Sequence, residues 1–83
     1  MLTKLVLDIE KVIALYDYCQ RKIEGNVVDI GSYRTLRAIC DITGDAILIC
    51  DARNWSVGNR KLVISVPSEL KKDMQKILKE ELK

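Results

Sequence analysis

Two short breaks, Ile42-Thr43-Gly44-Asp45 and Asn54-Trp55-Ser56-Val57-Gly58-Asn59, divide residues 34–66 into three apolar pieces of strand length. No other feature constrains the fold as much. Gly44 and Gly58 tolerate the positive φ that tight turns require, so the segment reads as a three-stranded antiparallel β-meander. In the first piece Leu36, Ala38, Cys40 and Ile42 alternate with Arg37, Ile39 and Asp41, the period of a half-buried strand. Ala46-Ile47-Leu48-Ile49-Cys50 is continuously apolar, as a central strand covered on both faces would be. Residues 61–66, Lys-Leu-Val-Ile-Ser-Val, pair antiparallel with it. A helix over residues 33–43 is the competing interpretation of the first piece, capped by Ser32 and closed by Gly44, because Tyr33, Leu36, Ile39 and Cys40 also keep helical spacing. The strand is preferred here, since a two-stranded hairpin alone makes a weak sheet.

Amphipathic stretches flank the meander. Leu2, Leu5, Val6, Ile9, Val12, Ile13, Tyr16, Cys19 and Ile23 recur at steps of three and four, which predicts one helix over residues 2–23 ending at Gly25-Asn26. Pro67 stops the last strand and starts a second helix, whose apolar stripe is Leu70, Met74, Ile77, Leu78 and Leu82. At 83 residues the chain has room for one core. The fold expected is therefore α+β, an N-terminal helix, a three-stranded antiparallel meander and a C-terminal helix, in a single domain over residues 1–83.

Composition narrows the chemistry. There is no histidine, which removes the usual general base near neutral pH and the commonest metal ligand. The three cysteines are odd in number and scattered, a pattern that suits buried small hydrophobes better than a zinc site or a disulfide framework. Asp41, Asp45 and Asp51 flank the first hairpin and could gather around magnesium, but solvated turn acids are the simpler account. The glycines never form a phosphate-cradling run. A non-enzymatic protein without cofactor or metal is expected. A net charge of +2 is too small to imply nucleic acid or an anionic membrane by itself, and no apolar run reaches the ~18 residues that span a bilayer. Asp8 and Glu10 interrupt the opening segment, unlike the core of a signal peptide, so a cytoplasmic location is expected.

Binding is then the class to weigh. If Thr43-Gly44 is a two-residue turn, Leu36, Ala38, Cys40, Ile47 and Ile49 share the core side of the meander, while Ile39, Leu48 and Val63 share the other, rimmed by Arg37, Asp41, Lys61 and Ser65. Leu7, Ala14, Leu15 and Tyr18 lie off the main stripe of the first helix. Such second apolar surfaces commonly mark association sites, which makes Leu7, Leu15, Tyr18, Ile39, Leu48 and Val63 the expected homodimer interface. Arg53 and Arg60 bracket the only tryptophan, Trp55, and arginine with an exposed aromatic serves as an interface hot spot or grips a phosphate backbone and stacks a base. Arg34, Arg37, Arg53, Asn54, Trp55, Arg60 and Lys61 are the expected partner-contacting residues. The function these features suggest is an accessory or regulatory factor, of the sort phage and mobile elements encode, that homodimerises and docks a protein partner. A nucleic-acid-binding regulator using the same arginines is the alternative.

Two likenesses bear on that alternative. Residues 62–74, Leu-Val-Ile-Ser-Val-Pro-Ser-Glu-Leu-Lys-Lys-Asp-Met, look like the strand and first helix of ribbon-helix-helix repressors, which implies paired strands entering the DNA major groove. The second helix of that fold has no counterpart after Met74. A helix over residues 33–43 followed by a hairpin is somewhat similar to a winged helix, although Ala46 to Cys50 is too apolar to lie in a groove of DNA.

Overall fold

The computed structural model describes residues 1–25, 28–52 and 61–82. In chain order the elements are β1 (Leu2–Asp8), α1 (Ile9–Gly25), α2 (Ile30–Ala52), β2 (Lys61–Pro67) and α3 (Ser68–Glu80). β1 and β2 form a two-stranded antiparallel sheet, with Leu5 opposite Ile64 and Leu7 opposite Leu62. The expected helix-meander-helix order is therefore replaced by β-α-α-β-α.

Each correction has a physical cause. Leu2, Leu5, Val6 and Ile9 satisfy helical spacing, yet Thr3, Leu5 and Leu7 also alternate with Leu2, Lys4 and Val6, and the strand period prevails. It prevails because β2 turns Leu62, Ile64 and Val66 inward and Lys61, Val63 and Ser65 outward, and its backbone needs a partner strand with the same alternation. α1 accordingly starts at Ile9 rather than Leu2, and buries Ile9, Val12, Leu15 and Cys19.

The first two strands expected of the meander are one continuous helix, α2. Its buried and half-buried residues Leu36, Ile39, Cys40, Thr43, Ile47 and Cys50 follow helical steps straight through the supposed turn, so the pairings of Cys40 with Ile47 and Ala38 with Ile49 do not exist. Helix was the competing interpretation of residues 33–43, but its cap is Asp29 rather than Ser32. The Ser32 N–H donates to Asp29 Oδ1 at 2.6 Å and the Tyr33 N–H to the Asp29 carbonyl at 2.8 Å, satisfying donors that a helix start leaves open. Hydrogen bonding from Ser32, from its backbone N–H first and then its side chain, holds the Asp29 carboxyl below the usual carboxylate range. Nor does Gly44 close the helix. A Cβ there would lie 3.3 Å from the Tyr16 ring, so Gly44 marks a close approach of α1 to α2. Thr43, fully buried beside it, donates its hydroxyl to the Ile39 carbonyl at 2.7 Å, the back-bond that lets a helix keep a hydroxyl in its interior.

α3 follows Pro67 directly, and the Ser68 N–H reaches back to the Met1 carbonyl at 3.0 Å, tying the start of α3 to the start of β1. Leu70 and Met74 fill the core from this side. Leu5, Leu62, Ile64 and Val66 line the helix-facing side of the sheet. β2 pairs with β1 of its own chain, unlike the strand of a ribbon-helix-helix repressor, which pairs with that of a second subunit. Among the described residues no helix is long and apolar enough to cross a membrane.

Candidate functional site

The open side of the sheet is the first surface the register creates. Leu2, Lys4, Val6 and Asp8 of β1 stand opposite Pro67, Ser65, Val63 and Lys61 of β2, all of them exposed apart from their neighbours in the pleat. Val6 (54% exposed) and Val63 (61% exposed) pair across the strands at its centre, with Leu2 and Pro67 at one end and the opposite charges of Asp8 and Lys61 at the other. No described element covers this face. An apolar centre with a charged end is the composition of a contact patch rather than of a solvated sheet face.

A groove of about 600 Å³ adjoins it, lined by Lys61, Leu62, Val63, Ile64 and Ser65 on one wall and by Ile42, Asp45, Ala46 and Ile49 of α2 on the other. The helical wall is a stripe at steps of four and three, and Ile49 is half out in solvent beside the exposed Leu48. A second hollow, about 450 Å³, lies where the three helices meet, between Tyr18 and Lys22 of α1, Thr35 and Leu36 of α2, and Lys76 and Ile77 of α3. Its charges are mixed, with Asp73, Glu80 and Glu81 facing Lys22 and Lys76. Lys22 stacks over the Tyr18 ring at 5.7 Å. Burial, then the Glu81 carboxylate and Cys19, raises the Tyr18 phenol above its ordinary range, so it stays neutral at physiological pH and offers a hydrogen bond rather than a charge.

The residues expected at a dimer interface separate into three groups. Leu15 and Ile39 have no exposed surface and belong to the core. Leu7 and Tyr18 are half-buried against that core. Leu48 and Val63 are exposed, though on different elements rather than on one sheet face. Among the expected partner contacts, Arg34 is exposed on α2, and Arg37 lies on the same helix with its Nε 3.7 Å from Asp41 Oδ1. Lys61 is exposed at the start of β2 opposite Asp8. Arg53, Asn54, Trp55 and Arg60 lie outside the described residues. Sequence reasoning missed Val6, Leu2 and the Ile42-Ala46-Ile49 stripe. The alternation around Val6 and the spacing of that stripe were the signals available.

Among the described residues no three cysteine or carboxylate side chains converge as metal ligands would, and Asp41 and Asp45 point to solvent from α2. Cys19 and Cys40 meet across the α1–α2 contact, where Cys40 Sγ donates to the Tyr16 carbonyl at 3.9 Å. Burial, and then the neighbouring Cys40, pushes the Cys19 thiol up to about 12, and burial also raises Cys40. Since the thiolate is the nucleophile, both should resist alkylation by iodoacetamide at pH 8 in the native protein and react within minutes in denaturant; fast native labelling of either would show that the helix pair opens. The same shift fixes a sign. A proton held more tightly folded than unfolded makes stability fall as pH rises above the ordinary thiol range of about 8.5, so thermal stability should decline in alkali between that point and about 12, and less so in Cys19→Ala.

Comparison with protein-family models, with curated proteins and with solved structures gives no match to this chain.

Proposed function

We propose that the protein is a small non-enzymatic binding factor, accessory or regulatory in role, that associates with a second copy of itself and docks a protein partner. The observation that carries the reading is the uncovered sheet face, where the exposed Val6 and Val63 pair across the strands and Leu2 and Pro67 stand one row beyond Lys4 and Ser65. Leu48 and Ile49 add exposed apolar surface on α2. Isolated exposed hydrophobes are ordinary, but a contiguous patch rimmed by charge is the mark of an association surface. Closed two-fold dimers are the commonest assemblies of a single chain with itself.

Sedimentation equilibrium across the micromolar range tests this. The expected result is the mass of two chains, changing little between low and high salt because apolar burial is only weakly screened. A single-chain mass at every concentration would end the self-association reading. The nucleic-acid alternative makes a different forecast, binding to duplex or single-stranded DNA that falls steeply with salt. Of the described residues that this alternative uses, Arg37 pairs with Asp41 at the surface of α2 at 3.7 Å.

A further inference from the structure

The groove beside β2 has an unusual lining. Successive residues of a strand point to opposite faces, so a hollow touched by Lys61, Leu62, Val63, Ile64 and Ser65 together runs along the edge of the strand rather than over a face. The register tells which backbone groups face it. Because the Ser68 N–H bonds to the Met1 carbonyl, Met1 and Ser68 are a hydrogen-bonded pair, and so by alternation are Thr3 with Val66, Leu5 with Ile64 and Leu7 with Leu62. The N–H and C=O groups of Lys61, Val63 and Ser65 therefore turn away from β1 and into the groove. Among the described residues nothing pairs with them.

An occupant must supply donors and acceptors at strand spacing, which a helix, with its own backbone bonded internally, cannot do. β2 itself can. We infer that two copies of this chain join through β2, antiparallel about a two-fold axis at Ile64, to make one four-stranded sheet. The inference rests on the self-association proposed above. In that register Val63 and the partner's Ser65 exchange both backbone bonds, the symmetry-related pair does the same, and each Lys61 N–H donates to the partner's Pro67 carbonyl. Pro67 brings no N–H, so the Lys61 carbonyl opposite it, at the end of the seam, is left to solvent. Ile64 meets the partner's Ile64, and Leu62 meets the partner's Val66, on the side that faces the helices. Lys61 is the one charge on β2, and the two-fold carries the two lysines to opposite ends of the seam, so no like charges face each other. The same operation brings the Ile42-Ala46-Ile49 stripe of each copy toward the incoming strand. It leaves the outer patch uncovered and doubled in extent, free for a different protein.

The test uses the full chain, with Val63→Lys and Ser65→Pro as variants. Both positions are exposed, and Ser65→Pro deletes an outward N–H that β1 does not use. Each should weaken dimerisation by about tenfold or more, because every change acts twice across the two-fold, while circular dichroism of the monomer stays that of the parent. In the unmodified protein, amide exchange at Val63 and Ser65 should slow as concentration rises through the dimerisation midpoint. A dimer of undiminished affinity in both variants, or exchange at these amides that ignores concentration, would overturn edge pairing and leave self-association standing through another surface. A protein that stays monomeric throughout would overturn both.

Discussion

Leu15→Ala is expected to cost about 2–5 kcal/mol of folding stability, the range for truncating a large side chain in a packed core. Leu15 has no exposed surface and sits with Val12 and Cys19 on the inward side of α1, so its loss leaves a cavity that the rest of the core cannot easily collapse into. In a domain of this size the whole margin of stability is of order 5–15 kcal/mol, with small chains toward the lower end. The change should therefore shift the urea midpoint strongly with an unchanged slope, the signature of altered stability rather than altered compactness. Leu48→Ala is the control. Leu48 is 66% exposed, and its truncation should stay within about 0.5 kcal/mol for the isolated monomer. A Leu15→Ala protein as stable as the parent but altered in association would return Leu15 to the surface, where its position off the main apolar stripe first suggested it belonged.

That example shows what the sequence could and could not convey. The helical period of α1 was legible, but its phase was not, because Ile13 and Leu15 are both large and apolar and only the fold decides that Leu15 is buried and Ile13 exposed. The junction from β2 into α3 was legible in detail. Alternation, a proline and a clean stripe from Leu70 to Leu82 each point the same way, and agreement between local signals is what makes a segment readable.

β1 was illegible for a physical reason. Seven residues satisfy both periods, and the choice is made by a strand more than fifty residues away whose hydrogen bonds must be met. No local propensity carries that information. The candidate surface shares the difficulty, because the open face exists only once Val6 and Val63 are placed opposite one another. The exposed character of Leu48 and Val63 was anticipated, while the core position of Ile39 was not, since a strand and a helix assign it to opposite environments.

Gly44 caused the largest error, and it offers the sharpest check. A glycine between two apolar runs signals a turn, but in α2 it lies within a helix of 23 residues and serves to admit the Tyr16 ring. Gly44→Ala separates the two roles, because alanine is strained where a turn holds Gly44 at positive φ and is favoured within a helix. Proline gauges the helix itself: in a helix interior it removes the bond to the carbonyl four residues back and drives its ring against that carbonyl, costing about 3 kcal/mol or more. The damage would extend to the second half of α2, whose Ile47 and Cys50 contribute to the core, so far-UV circular dichroism should fall along with the urea midpoint. Gly44→Ala supplies the opposite sign. It recovers up to about 1 kcal/mol of helix propensity and asks the half-buried Tyr16 ring, whose Cε1 is the nearest atom at 3.3 Å, to yield by a few tenths of an ångström. The expected result is a protein at least as stable as the parent with alanine, and strongly destabilised with proline. If alanine instead destabilises the protein by about 1 kcal/mol or more, as it does where a glycine holds a positive φ, the segment is a turn after all, and the stripe of Ile42, Ala46 and Ile49 that forms one wall of the β2 groove does not exist.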